Sequence, residues 1–269
     1  MLYKTDLEQL KRAITCVLGS ESVDKVYLID NSPDDNLGSV ANMADRINYM
    51  RTGSNIGFGA AHNIALRESM VAGVRYHLVL NADVYFNSEI LGCILHRMEE
   101  DSNIGLLMPK VLYPNGDLQY LCKLLPTPMD LIARRFMPLA SKLINKKHSY
   151  DLRFTNYEFE MNVPYLSGCF MFLRLDAIKN IGIFDERFFM YPEDIDLTRR
   201  LHRYYKTIFY PHAIIYHEHG KASYQNLKML LVHALNIIKY FNKWGWVSDS
   251  ERRSINQAAL LKIQQGVIN

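Results

Sequence analysis

The sequence predicts an α/β fold: a mainly parallel central sheet flanked by helices, followed by a helical extension at the C-terminal end. Three observations predict it. Through about the first 200 residues, short apolar runs alternate with helical periods. Polar residues that could meet a ligand, Asp30, Asn31, Asn81, Asp83 and His217, fall at the ends of such runs, where open sheets bind ligands. From Ser223 onward the pattern is helical only.

Leu7, Leu10, Ile14 and Val17 stand at helical spacing, so a helix covers Leu7 to Leu18. Lys25-Val-Tyr-Leu-Ile-Asp30 reads as a buried strand that stops in the turn Asn31-Ser32-Pro33-Asp34. Gly59 to Ala72 is a helix closed by Gly73. Tyr76-His-Leu-Val-Leu-Asn81 is a second buried strand, and Ser88 is placed to cap a helix with Ile90, Leu91, Ile94, Leu95 and Met98 inward. Gly105 to Pro109 is a further short strand. Residues 123–160 are basic, dotted with Pro126, Pro128 and Pro138 and without a period, which predicts an insertion or mobile flap. Tyr165 to Leu173 is strand-like again, and Pro192 to Tyr205 is a helix with proline in its first turn. Thr207 to Tyr210 and Ala213 to His217 read as two last strands. Leu227, Leu230, Leu231, Ala234, Leu235, Ile238 and Phe241 recur at three- and four-residue steps, and a second helix runs from Asp249 to about Gln265. Residues 1–220 are thus expected as one domain, with 221–269 as a helical extension packed on it.

With 269 residues, 49% of them hydrophobic and 22% charged, the chain can bury a full core, and disorder is excluded. Cys16, Cys93, Cys122 and Cys169 lie apart among apolar neighbours, so buried free thiols in a reducing compartment are expected. There is no apolar run of about 18 residues. Nor does a basic start and apolar stretch follow Met1. A cytoplasmic protein is therefore expected. The net charge of +3 is unevenly spread. Arg134, Arg135, Lys142, Lys146, Lys147 and Arg153 form one basic patch, and residues 221–269 carry another. Such patches on an acidic body suit an anionic surface or polyanionic substrate, and solvated lysines would look the same.

The chemistry concentrates at four places. Gly53-Ser-Asn-Ile-Gly-Phe-Gly-Ala-Ala-His-Asn63 opens a helix, and its glycines would let backbone amides approach a phosphate. His62 stands where a dinucleotide fingerprint needs a small residue, and a tight turn explains the loop equally well. Asn81-Ala82-Asp83 follows an apolar strand, where a carboxylate can bind Mg²⁺ or Mn²⁺ or simply make a turn. Glu193-Asp194-Ile195-Asp196 puts three acids at a helix N-terminus, either to complement its dipole or to supply a general base. His217-Glu218-His219 follows the last strand, and an imidazole there is a metal ligand or a hydrogen-bonded residue.

Taken in order, these segments resemble family 2 glycosyltransferases. Asp30-Asn31-Ser32, Asn55-Ile-Gly-Phe-Gly-Ala-Ala-His-Asn63 and Asn81-Ala-Asp83 resemble the donor half of that family. Ser167-Gly-Cys-Phe-Met-Phe-Leu-Arg174, Gly182-Ile-Phe-Asp-Glu-Arg-Phe-Phe-Met-Tyr-Pro-Glu-Asp-Ile-Asp-Leu197 and His217-Glu-His-Gly-Lys-Ala-Ser223 resemble its acceptor half. The tail Lys239-Tyr-Phe-Asn-Lys-Trp-Gly-Trp246 with Glu251-Arg-Arg253 is similar to bacterial rhamnosyltransferases.

The resemblance implies a GT-A fold and an inverting transfer from a nucleotide-sugar donor. The acceptor would be a glycan or lipid-linked glycan of a growing cell-surface polysaccharide, with rhamnose as the first candidate sugar and Mg²⁺ or Mn²⁺ as cofactor. It implies that Asp30 and Asn31 bind the donor's base end, Asn55 and Gly57 line the nucleotide pocket, and Asn81 lies near the ribose. Asp83 would hold the metal with His217 (His219 being second choice), and Asp194 would be the base, supported by Glu193. The sequence departs from the family in two ways. Asn81 replaces one carboxylate of the usual Asp-x-Asp. Only Met1-Leu-Tyr-Lys-Thr-Asp6 stands where members begin with a full strand ending near a Thr-Tyr-Asn turn, so a central strand looks clipped. That clipping motivates the alternative, a non-catalytic carbohydrate-binding or scaffold protein on the same fold. Helix Leu227 to Phe241 offers a face for peripheral membrane contact or a homodimer. No nucleic-acid partner is expected.

Overall fold

The structure is a computed structural model and describes residues 1–131, 150–218 and 227–266. Helix α1 (Leu7–Leu18) starts on Asp6, whose carboxylate accepts the Glu8 and Gln9 amides, and buries Leu10, Ala13, Ile14 and Val17. Strands β1 (Val26–Asp30) and β2 (Ile47–Arg51) pair in parallel as a small sheet of their own. Helix α2 (Phe58–Val71) returns along β1 and ends before Gly73, which takes φ +70°. The second sheet runs in the order β3 (Tyr76–Leu80), β9 (Phe170–Arg174), β5 (Ile104–Leu112), β10 (Lys206–His217), β4 (Val84–Tyr85), with β7 (Met161–Asn162) on β10. Its longest ladder, β5 with β10, is parallel, while β9, β4 and β7 run antiparallel to their neighbours. The sheet is therefore mixed, with parallel pairing at its centre.

Two strands expected after residue 206 are one, β10, which bends at Pro211 through a register shift between Tyr210 and Ile214. Proline donates no ladder hydrogen bond, so a bulge there is the usual accommodation. The single strand expected over 165–173 is two, β8 (Tyr165–Leu166), which pairs with β6 (Cys122–Lys123), and β9, separated by Ser167-Gly168-Cys169. Helix α3 (Glu89–Glu100) begins after Ser88, whose side chain does not cap; Asn87 Oδ1 accepts the Glu89 amide instead, at 3.1 Å. Leu91, Ile94 and Met98 are buried, whereas Ile90 and Leu95 are only partly so. Cys122 and Cys169 are buried free thiols, but Cys93 lies on the solvent face of α3 and is exposed.

The flap expected within 123–160 falls mainly on residues 132–149, which lie outside the described residues. Its described flank is part of the core. Tyr150, Leu152 and Tyr157 are buried, and the Tyr157 hydroxyl accepts the Cys122 amide at 3.0 Å.

Helix α4 (Leu175–Ile181) leads to α5 (Glu193–His202), and the last helices are α6 (Leu227–Trp244) and α7 (Ser250–Gln264). α6 and α7 are tied to α5 by charge and aromatic contact. The Arg199 guanidinium, 1% exposed, forks onto both Asp249 oxygens at 2.8 and 2.9 Å and reaches Glu251 at 2.7 Å. It lies 4.0 Å over the Trp244 ring. Asp249 also caps α7 by accepting the Arg252 amide. Among the described residues, no helix is long and apolar enough to cross a membrane.

Candidate active site

β1 ends on Asp30, fully buried, whose two oxygens accept the Tyr49 hydroxyl at 2.6 Å and the Ser32 amide at 2.8 Å. Tyr49, on β2, carried no signal in the sequence, yet it orients this carboxylate. Asn31, also fully buried, donates to the Gly57 carbonyl and Asn55 Oδ1 and accepts the Thr52 hydroxyl. Asn55 Oδ1 in turn accepts the Gly57 amide. Gly57 sits at φ +95°, and a Cβ there would stand 2.5 Å from the Phe189 carbonyl, so only glycine fits. The residues expected at the nucleotide end, Asp30, Asn31, Asn55 and Gly57, are thus one hydrogen-bonded unit.

The turn after β3 adjoins it. Ala82 packs against the cluster of Leu2, Leu10 and Leu28, and the Asn81 amide donates to the Cys169 carbonyl at 3.0 Å. Asp83 is partly exposed, and its Oδ1 lies 3.3 Å from His217 Nε2. Gln119 fixes that imidazole. Its amide donates to the His217 carbonyl at 2.7 Å, which turns Oε1 to His217 Nδ1 at 3.0 Å and makes Nδ1 the protonated nitrogen. Nε2 is then the ring nitrogen that faces Asp83. An oxygen and a nitrogen so placed fit a divalent ion that also takes diphosphate oxygens and water, Mn²⁺ better than Mg²⁺ because of the nitrogen. Among the described residues no three acidic, His or Cys side chains gather as a complete metal site. His219 lies outside the described residues.

The three acids at the start of α5 have separate fates. Asp196, fully buried, is held by Arg200 at 2.9 Å, Lys243 at 2.5 Å and the Trp244 indole at 2.8 Å, so its place is structural. Asp194 turns inward. Its Oδ2 accepts the Gly168 amide at 3.0 Å and lies 3.4 Å from the Tyr165 hydroxyl, while Oδ1 accepts the Ile195 amide. Burial pushes its carboxyl up to about 6, against the hydrogen bonds from Gly168 and Ile195 and the charge of Lys123. Burial and the neighbouring Asp194 push Glu193 much higher, and its Oε2 has no hydrogen-bond partner among the described residues. Burial thus favours the protonated form of both carboxyls, and of Glu193 more strongly than of Asp194. Tyr191, just before them, has φ +90°, a strained value for a tyrosine, and its ring packs edge-on to His233 at 4.3 Å.

The break between β8 and β9 joins these groups. Gly168 donates to Asp194, the next residue accepts from Asn81, and a Cβ on Gly168 would press on Asp194 Cβ at 3.2 Å and on Phe58. A buried carboxylate, an Asp–His pair and a glycine-led helix start therefore face one region beyond the strand ends.

A family model described as Glycosyl transferase family 2 matches residues 3–182. The chain belongs to glycosyltransferase family 2. The match contains Asp30, Asn55, Gly57, Asn81 and Asp83, and α5 and His217 lie beyond it. The N-acetylglucosaminyl-diphospho-decaprenol L-rhamnosyltransferase of two Mycobacterium tuberculosis strains is 25% identical over 77% of this family 2 chain and 70% of its own. The low-salt glycan biosynthesis hexosyltransferase Agl10 of Haloferax volcanii is 27% identical over 75% of this chain and 59% of its own. Three solved structures share the fold at low identity. GalNAc-T7 with UDP, GalNAc and Mn²⁺ has TM-score 0.61 at 12% identity, covering 100% of this chain and 54% of that one. Staphylococcus aureus TarS has TM-score 0.58 at 15% identity, covering 96% and 41%. The mannosyltransferase PcManGT of Pyrobaculum calidifontis with GDP-Man and Mn²⁺ has TM-score 0.56 at 12% identity, covering 98% and 73%. The fold is accordingly GT-A, and the chain spans about half the length of the first of these structures.

Proposed function

We propose that this family 2 glycosyltransferase inverts the anomeric centre of a nucleotide-diphosphate sugar, rhamnose first, on a lipid-linked or growing glycan. The observation that carries this is Asp194, a buried carboxylate held by the Gly168 amide beside the donor-side unit. Asp194 Oδ2 takes the proton of the attacking acceptor hydroxyl while the Gly168 amide holds it in place. Glu193, protonated, keeps a second negative charge away from the developing alkoxide. Asp30, Asn31, Asn55 and Gly57 bind the nucleotide end, Asn81 orients the donor, and Asp83 with His217 would hold Mn²⁺ or Mg²⁺. When bound, that ion neutralises charge on the departing diphosphate. The rhamnosyltransferase relative, named for a diphospho-decaprenol acceptor, supports the lipid-linked class. So does α6, which leaves Leu231, Leu235 and Ile238 exposed along one face for a membrane surface or a second copy of the chain.

The deciding experiment offers dTDP-, UDP- and GDP-sugars with and without Mn²⁺ and measures release of nucleoside diphosphate. One donor is expected to react, and Asp83→Asn should weaken Mn²⁺-dependent donor binding about tenfold or more. If no donor is turned over, the reading falls and a non-catalytic carbohydrate-binding role takes its place.

The pH profile follows from the sign of the Asp194 shift. The base works ionised, so kcat/KM should rise with pH through about 6 and level off above it. A profile flat from pH 5 to 8 would remove Asp194 from that role.

A further inference from the structure

Residues 183–192 run from α4 to α5 without helix or strand, and two buried asparagines hold them. Asn63, on α2, donates to the Phe184 carbonyl at 2.9 Å and accepts the Phe184 amide at 3.0 Å. Asn236, on α6, accepts the Phe189 amide at 3.4 Å and donates to the Met190 carbonyl at 3.1 Å. Asn236 is 2% exposed beside the buried Ile237, Tyr240 and Phe241, where an apolar side chain would be desolvated at less cost. A buried side-chain amide that takes one donor and one acceptor of the main chain fixes where that main chain lies.

Asn236 belongs to a row. Lys243, Lys239, Asn236 and His233 follow one another along α6 at steps of four and three residues, which puts them on one face. In the same order they meet Asp185 at 2.8 Å, the Arg187 carbonyl at 2.9 Å, the Phe189 and Met190 backbone, and the Tyr191 ring at 4.3 Å between centroids. Helix and segment are thus matched, running in opposite directions, over residues 185–191. Both ends of the matched stretch reach the candidate site. The Phe189 carbonyl accepts the Phe58 amide at 2.9 Å and is the atom that a Cβ on Gly57 would strike, so it shapes the turn that starts α2. Two residues later Tyr191, strained at φ +90°, turns the chain into α5 and Asp194.

We propose that Asn236 is a positioning residue for the transfer reaction: from α6 it sets the distance between the Gly57 turn and Asp194, and with it the alignment of donor and acceptor. This rests on the reading of Asp194 as the base and of Gly57 as part of the donor pocket. Asn236 touches neither substrate and acts through the peptide it grips. Without that grip the strained turn at Tyr191 relaxes and carries Asp194 with it, and a misplacement of about 1 Å is enough to lower a rate about a hundredfold.

The test compares Asn236→Leu and Asn236→Gln with Asn256→Leu, each assayed well below its own thermal midpoint. Asn256, on α7, holds the amide and carbonyl of Leu125 at 2.8 and 2.9 Å, the same kind of grip on a different segment. For Asn236→Leu, kcat should fall about 30- to 100-fold while the donor Kd stays within about threefold. Asn256→Leu should lose a similar amount of midpoint and keep kcat within about threefold of wild type. Asn236→Gln keeps both polar groups on a stem one methylene longer, so it should regain midpoint over the leucine variant without regaining kcat. Equal kcat losses for the two leucine variants would overturn the proposal, as would full recovery of kcat by glutamine. Hydrogen exchange gives a readout that needs no turnover. The Phe58 amide should exchange about tenfold faster in Asn236→Leu and at the wild-type rate in Asn256→Leu. An unchanged Phe58 amide would overturn the proposal even in an active enzyme. Faster exchange there in a protein that turns over no donor would uphold the grip and overturn the transfer reading instead.

Discussion

Asp194→Asn is expected to lower kcat by about two to four orders of magnitude with little change in donor binding. Asparagine keeps the shape of the carboxylate and an oxygen for the Gly168 amide at 3.0 Å, so the break between β8 and β9 stays in place. It has no basic oxygen for the acceptor proton. The substitution removes a charge that burial disfavours but turns an NH2 toward the Ile195 amide that Oδ1 accepts, so the thermal midpoint should change little. Steady-state kinetics on the reactive donor, with a melting curve on the same sample, separates loss of chemistry from loss of fold. A variant within about tenfold of wild type would place the base elsewhere.

The largest stability effect is expected at Arg199. Arg199→Met leaves Asp249, itself 4% exposed, without its two charge-assisted hydrogen bonds, and removes the nearest of three cations from the Trp244 ring. Breaking one side of a buried pair costs about 3–5 kcal/mol. For a chain of this size that is a midpoint lower by about 10 °C or more. Pairing it with Asp249→Asn should recover part of the loss, because the orphaned charge goes with it. Arg199→Lys should recover less, since an ammonium cannot fork onto both oxygens. No fall in midpoint for Arg199→Met would mean that the Arg199–Asp249 pair adds nothing net to the hold of α5 on α7, which Arg203 and Glu251 also join.

The helices α1, α2, α5 and α7 were legible because their apolar faces and caps are local. β2 was not: Ile47–Arg51 is partly exposed throughout and mixes polar with apolar residues, so no strand period stands out. The bend at Pro211 made one strand look like two. The candidate site was legible as a set of types in order, since Asp30, Asp83, Asp194 and His217 sit at strand and helix ends. Their partners were not. Tyr49 on Asp30, Gln119 on His217 and the Gly168 amide on Asp194 are contacts between distant segments, and nothing local in the sequence marks a tyrosine or glutamine for such work. Three acids at the start of α5 were equivalent by spacing. Only the cations and indole brought up by α5 and α6 distinguish Asp196 from Asp194.

Gly168 and Cys169 carry a consequence for how such a protein can diversify. One residue's amide holds Asp194, the proton acceptor of the proposed reaction, and the next residue's carbonyl holds the turn that bears Asn81 and Asp83. In that proposed reaction the spacing between the reacting ends of the two substrates is ruled off by two peptide units of main chain. Loops around it are free to drift toward new sugars and new acceptors, because the ruler they are read against does not change length.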